Sequence, residues 1–267
     1  MAKSNQNAKK TEQASSTQER KHTTLRYTTK MQSDFMRAYI DKNIGSLIML
    51  YGRIGGLLRL VQDDVPLSTM VEDWVLYNDK LAYYQLEEAS ALLEQIQMQS
   101  ANRLELDVQI DRPEPLESTW QVNHSCYTNL IRLMLTIDKF ILQSEEMYFK
   151  GMMSDVQMNQ INRQVDMVIS SYLERILKAT SPGKHRDSNG YRYKNQDLLA
   201  HIKDAGYRLE FHALPKELEG VVSEYNQRYS KYKSLVDERL EKARAKTAER
   251  KEQSEPDKKQ SGISEAV

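Results

Sequence analysis

Seven residues, His22-Thr23-Thr24-Leu25-Arg26-Tyr27-Thr28, alternate apolar and polar side chains, and the sequence after them switches at once to helical spacing. A period of two places Leu25 and Tyr27 on one face of a strand and His22, Thr24 and Arg26 on the other. One face can then be buried while the other meets something outside. From Thr29 to Lys42 the residues Met31, Phe35, Met36, Tyr39 and Ile40 recur at helical spacing, and Asn43-Ile44-Gly45 reads as a helix end. A second helix is expected from Ser46 as its N-cap, with Leu47, Leu50, Tyr51, Ile54, Leu57, Leu58 and Val61 as its apolar stripe. Gly55-Gly56 within that stripe weakens a helix by up to about 1 kcal/mol per glycine relative to alanine, which implies close helix packing there.

A strand without a partner nearby in sequence leaves its N–H and C=O groups unpaired. The economical completion is a second copy of the chain, its strand antiparallel across a two-fold axis over four helices. Such an arrangement resembles the ribbon-helix-helix DNA-binding modules, which lay a two-stranded ribbon in the major groove and aim a helix N-terminus at phosphate. The resemblance implies base reading by His22, Thr24 and Arg26, and phosphate contacts from Lys21, Thr28, Lys30 and the backbone at Gly45 and Ser46. Arginine pairs bidentately with guanine, and a threonine can touch a thymine methyl, so the residue types suit the task. The plain alternative is an edge strand leading into a helical hairpin, with Arg26 solvated.

The chain has 267 residues, enough for one or two domains, and 38 basic residues against 38 acidic ones. Zero net charge argues against nonspecific coating of nucleic acid and leaves room for a site-specific binder with a local basic patch. The single cysteine, Cys126, excludes an intrachain disulfide framework and fits a reducing cytoplasm. No uninterrupted apolar run approaches the roughly 18 residues that span a bilayer, so no membrane partner is expected.

Residues 1–21 lack apolar periodicity and read as a disordered basic arm, either following phosphates or simply solubilising. Residues 22–62 are the ribbon-helix-helix segment and 63–245 a larger helical domain. Within it a long helix is expected from about Ser68 to Ala101, with Trp74, Tyr77, Tyr83 and Tyr84 read as core aromatics rather than a base-stacking platform. Leu104, Leu106, Val108 and Ile110 alternate with polar residues, as a strand whose hairpin partner would be Leu116–Val122 across Arg112-Pro-Glu-Pro115. Helices follow at about Ser125 to Phe149, Ser154 to Lys178, Asn195 to Asp204, and from Pro215 into the 240s. Between them Lys184, His185, Arg186, Arg192 and Lys194 form a second basic cluster, of the kind that is usually solvated. Residues 246–267 read as a disordered charged tail. The expected fold is therefore mainly α: a ribbon-helix-helix segment of one strand and two helices, completed by dimerisation, joined to a helical domain with a small β-hairpin.

The run Gln62-Asp63-Asp64-Val65-Pro66-Leu67-Ser68-Thr69-Met70-Val71-Glu72-Asp73-Trp74, leading into the long helix, resembles the Asp-Asp-Pro then Trp signature of the AcaB-like proteins of conjugative plasmids and integrative conjugative elements. Leu116 to Leu177, with Tyr127 and Asp138, and Thr24-Leu25 before the first helix are similar too. The chain departs at Val65, which separates the aspartate pair from Pro66. The resemblance spans roughly residues 23 to 180. It implies a ribbon-helix-helix transcriptional regulator that promotes conjugative transfer, hence an activator on double-stranded DNA. The homodimer is the expectation from the lone strand, and the helical domain is open to further protein partners.

Catalysis finds little support. His22, His124, His185, His201 and His212 are scattered, and His124 with Cys126 lacks the further ligands of a structural zinc site. Phosphate-cradling glycine loops and nucleophile elbows are missing from the sequence. No enzyme activity, cofactor or metal is expected. Two readings stand: a DNA-binding regulator, or a helical scaffold of a transfer apparatus with no DNA site of its own. Arg26 separates them.

Overall fold

A computed structural model describes residues 24–100, 108–181 and 216–254. These form a mainly helical body with a two-stranded sheet. The order is β1 (Leu25–Met31), α1 (Asp34–Val61), α2 (Val65–Ser100), β2 (Leu116–Val122), α3 (Tyr127–Phe149), α4 (Asp155–Thr180) and α5 (Lys216–Ser254).

Two expectations about the N-terminal segment are corrected. The strand is not left for a second copy to complete, because β1 pairs antiparallel with β2 of the same chain, from Leu25 opposite Val122 to Met31 opposite Leu116. The reason is packing that only the folded chain brings together. Trp120, fully buried, lies opposite Tyr27 and donates its indole N–H to Thr29 Oγ1 at 2.9 Å, so the second strand supplies the apolar anchor beneath the first. The hairpin expected between Leu104–Ile110 and Leu116–Val122 is corrected by the same pairing. Residues 101–107 lie outside the described residues, and 108–110 carry no strand.

Two helices were expected between Thr29 and Val61, and there is one. The strand runs on through Met31, Ser33 caps the helix by accepting from the Met36 N–H at 3.2 Å, and α1 continues unbroken past Asn43, Gly45 and Ser46. Intrinsic propensity at those positions is poor, but helical stability comes mainly from packing an apolar face. Met36, Ile40, Leu47, Tyr51, Ile54, Leu57, Leu58 and Val61 are all buried on one side, so the core overrides the local break. Asn43 turns its amide back on the Tyr39 carbonyl at 2.9 Å. Among the described residues α1 is by length and composition apolar enough to cross a bilayer, and in this fold it packs against α3, α4 and β2.

The later helices match expectation to within a few residues. Gly151 at φ 69° closes α3, where the Met152 N–H reaches the Met147 carbonyl at 2.9 Å. Ser154 and Gln157 form a capping box on α4. Of the four aromatics expected in the core, Trp74 and Tyr77 are buried, with Tyr77 hydrogen-bonded to Glu224 and packed on Tyr225 of α5, Tyr83 is half-buried, and Tyr84 is corrected to exposed. One hydrophobic cluster runs from Met31 to Val236 without a division near residue 62. The helix expected at Asn195 to Asp204 and the basic cluster Lys184 to Lys194 lie outside the described residues. α5 extends beyond the 240s to Ser254.

Candidate nucleic-acid interface

The sheet has one buried face and one exposed face, and the alternation read from the sequence sets which is which. Thr29 and Met31 are buried and Tyr27 is half-buried, whereas Arg26, Thr28 and Lys30 are exposed. Leu25, expected on the buried face with Tyr27, is corrected to exposed, because it stands at the open start of the strand. On β2, Trp120 and Val122 are buried, and Glu117, Thr119 and Gln121 are exposed. The register sets these side chains in three cross-strand pairs: Arg26 with Gln121, Thr28 with Thr119, and Lys30 with Glu117. The last is an ion pair at 3.6 Å between two well-exposed groups. Thr24 is exposed just before the strand. His22 and Lys21 lie outside the described residues.

What holds this ribbon in place is a pair of carboxylates on α3. Asp138 and Glu145 are seven residues apart, hence on one side of the helix, two turns from each other. Asp138 accepts from the Gln32 N–H at 3.0 Å, the Ser33 N–H at 2.9 Å and the Ser33 hydroxyl at 2.7 Å. Glu145 accepts from the Asp34 N–H at 2.8 Å and from Arg112 Nη1 at 2.6 Å. Together with the Ser33 hydroxyl, which takes the Met36 N–H, they satisfy the N–H groups at the start of α1 and complement its dipole. Both carboxylates are buried, so this joint is stiff, and the strand leaving it has a fixed direction.

Gly45 and Ser46 stand mid-helix in α1, so the helix start that would have pointed their N–H groups at phosphate is not there. Thr119 and Gln121 share the outward face of the sheet, which the local sequence does not show. Their alternation with Trp120 and Val122 was visible, but their position beside Arg26 depends on a pairing across some ninety residues of chain.

Behind the sheet, α1 meets the turn before α3 at close range. Tyr127 donates to the Ile48 carbonyl at 2.7 Å, and a Cβ on Gly52 would lie 2.9 Å from the Tyr127 hydroxyl. A Cβ on Gly55 would lie 2.9 Å from His124 Cβ. His124 Nδ1 accepts from the Cys126 N–H at 3.1 Å, and burial, helped by Arg59, lowers its pKa and so favours the neutral ring. Burial pushes the Cys126 thiol up to about 12, which makes it an inert core group. No cluster of three or more metal-ligating side chains occurs among the described residues.

Deeper in the bundle Asp79 accepts from Tyr172 at 2.6 Å and from Asn129 at 2.7 Å, with Tyr51 hydrogen-bonded to Tyr172 in turn. This network joins α1, α2, α3 and α4.

No family model matches the chain, and no curated protein does. Among solved structures, the crystal structure of selenomethionine-containing AcaB from uropathogenic E. coli is similar in fold, with a TM-score of 0.51 at 15% sequence identity, over 69% of this chain and 97% of that one.

Proposed function

We propose that the chain is a sequence-specific double-stranded DNA-binding regulator, an activator of conjugative transfer genes, which reads the major groove with the exposed face of the β1–β2 ribbon. The observation that carries this reading is the face itself: Arg26, Thr28 and Lys30 in a row on a strand held by buried carboxylates. The major groove admits a two-stranded ribbon, and Arg26 has the fork that matches guanine O6 and N7. Thr24 and Thr28 extend the row, and Lys30, paired with Glu117, is the weaker phosphate contact at its far end. The AcaB-like resemblance supports the regulatory role. β1 finds its partner within the chain, so a homodimer no longer follows from an unpaired strand and is proposed as the way to set two such ribbons on one duplex. The cytoplasm is the compartment this role requires.

Selection from a library of randomised duplexes tests the proposal. The full chain should enrich a defined motif over several rounds. Recovery of the unenriched library would leave the scaffold reading in its place.

A further inference from the structure

We infer that each chain's ribbon reads an asymmetric subsite, with Gln121 on β2 acting as the base reader beside Arg26. This inference rests on the proposed DNA-binding role and adds a residue, a base preference and a symmetry to it.

A ribbon built from two identical strands across a two-fold axis shows the same pair of side chains at both ends. This ribbon is built from two different strands of one chain, and its ends differ. One end carries Arg26 with Gln121, and the other carries Lys30 with Glu117. Only the central pair, Thr28 with Thr119, matches itself. The surface therefore has a direction, and a duplex segment that fits it one way does not fit it reversed.

Each end has its own chemistry. Glutamine matches adenine N6 and N7 as arginine matches guanine O6 and N7, both bidentately. Directly opposed side chains on an antiparallel pair start about 5 Å apart, and base pairs stack about 3.4 Å apart, so the Arg26 and Gln121 tips reach neighbouring steps. The threonine pair, one alternation along, presents methyl and hydroxyl groups suited to a thymine methyl. At the far end Lys30 and Glu117 sit 3.6 Å apart, so their charges offset each other locally and that end attracts phosphate less than the Arg26 end does. Gln121 is exposed on β2, which Trp120 anchors from below.

The test compares motifs selected from randomised duplexes by the wild-type chain, Arg26→Ala and Gln121→Glu. The wild type should select guanine next to adenine within a half-site that is not itself palindromic. Glutamate accepts from cytosine N4, so Gln121→Glu should move the preference at the adenine position to cytosine by about tenfold and leave the guanine position as it was. Arg26→Ala should do the converse. If Arg26→Ala alters the motif while Gln121→Glu leaves every position unchanged, or if the half-site is palindromic, the inference fails and the DNA-binding proposal survives. If the wild type selects no motif, both fail.

Discussion

The Ser33 hydroxyl donates to Asp138 at 2.7 Å and, with the same oxygen, accepts from the Met36 N–H at 3.2 Å. One buried side chain thus caps α1 and ties the exit of β1 to α3. The arrangement predicts a graded loss. Asp138→Ala leaves the Ser33 N–H and hydroxyl buried without a partner and should cost roughly 3 kcal/mol, since the lost acceptor is a charged group. Ser33→Ala removes a cap and one further bond and should cost about 1 to 2 kcal/mol. Urea unfolding at neutral pH measures both. Equal losses, or a smaller one at Asp138, would show that the carboxylate does not hold the joint.

Two adjacent glycines of α1 should behave oppositely. A Cβ at Gly55 would lie 2.9 Å from His124 Cβ, whereas one at Gly56 would have nothing within 4 Å. Gly55→Ala should therefore destabilise, by about 1 to 3 kcal/mol if the turn before α3 must shift. Gly56→Ala should stabilise by up to about 1 kcal/mol through helix propensity. Thermal melts of the two variants give the signs, and a stabilising Gly55→Ala would mean that α1 and the turn are farther apart than described.

Burial raises the Asp79 carboxyl from 3.8 to about 6, against the hydrogen bonds of Tyr172 and Asn129, which lower it. A carboxyl with a folded pKa above its unfolded one binds more protons in the folded chain. Its contribution to stability is full below about pH 3.8 and is lost as pH rises to about 6. Asp79→Asn cannot titrate, so the melting temperature of the variant should fall less than that of the wild type between those limits. Parallel curves for the two proteins would assign the pH dependence to other groups.

Leu25, at the open start of β1, is exposed against its place in the pattern, whereas from Arg26 to Met31 the inside and outside of the strand were legible because period-two alternation is a local property. The same holds for α2 to α4, whose apolar stripes are long and whose caps at Ser154 and Gly151 are local signals. What was not legible depends on distance along the chain. Leu116–Val122 alternates just as a hairpin strand would, and nothing near it in sequence says that Trp120 belongs under Tyr27. Nor does the local pattern show that Leu47, Tyr51 and Ile54 are packed firmly enough to carry α1 through Gly45. The phosphate role expected at Gly45 and Ser46 rested on that break, while the outward row of β1 did not.

The most direct test of the DNA-reading face is fluorescence anisotropy of wild type and Arg26→Ala on the selected duplex and on a scrambled one, at two salt concentrations. Arg26 is the forked donor of the exposed face, so its loss should cost roughly 1 to 3 kcal/mol on the selected duplex and much less on the scrambled one, with little change in salt dependence. An equal reduction on both duplexes would contradict the account, because Arg26 would then be one phosphate contact among others and the ribbon would not be the reader.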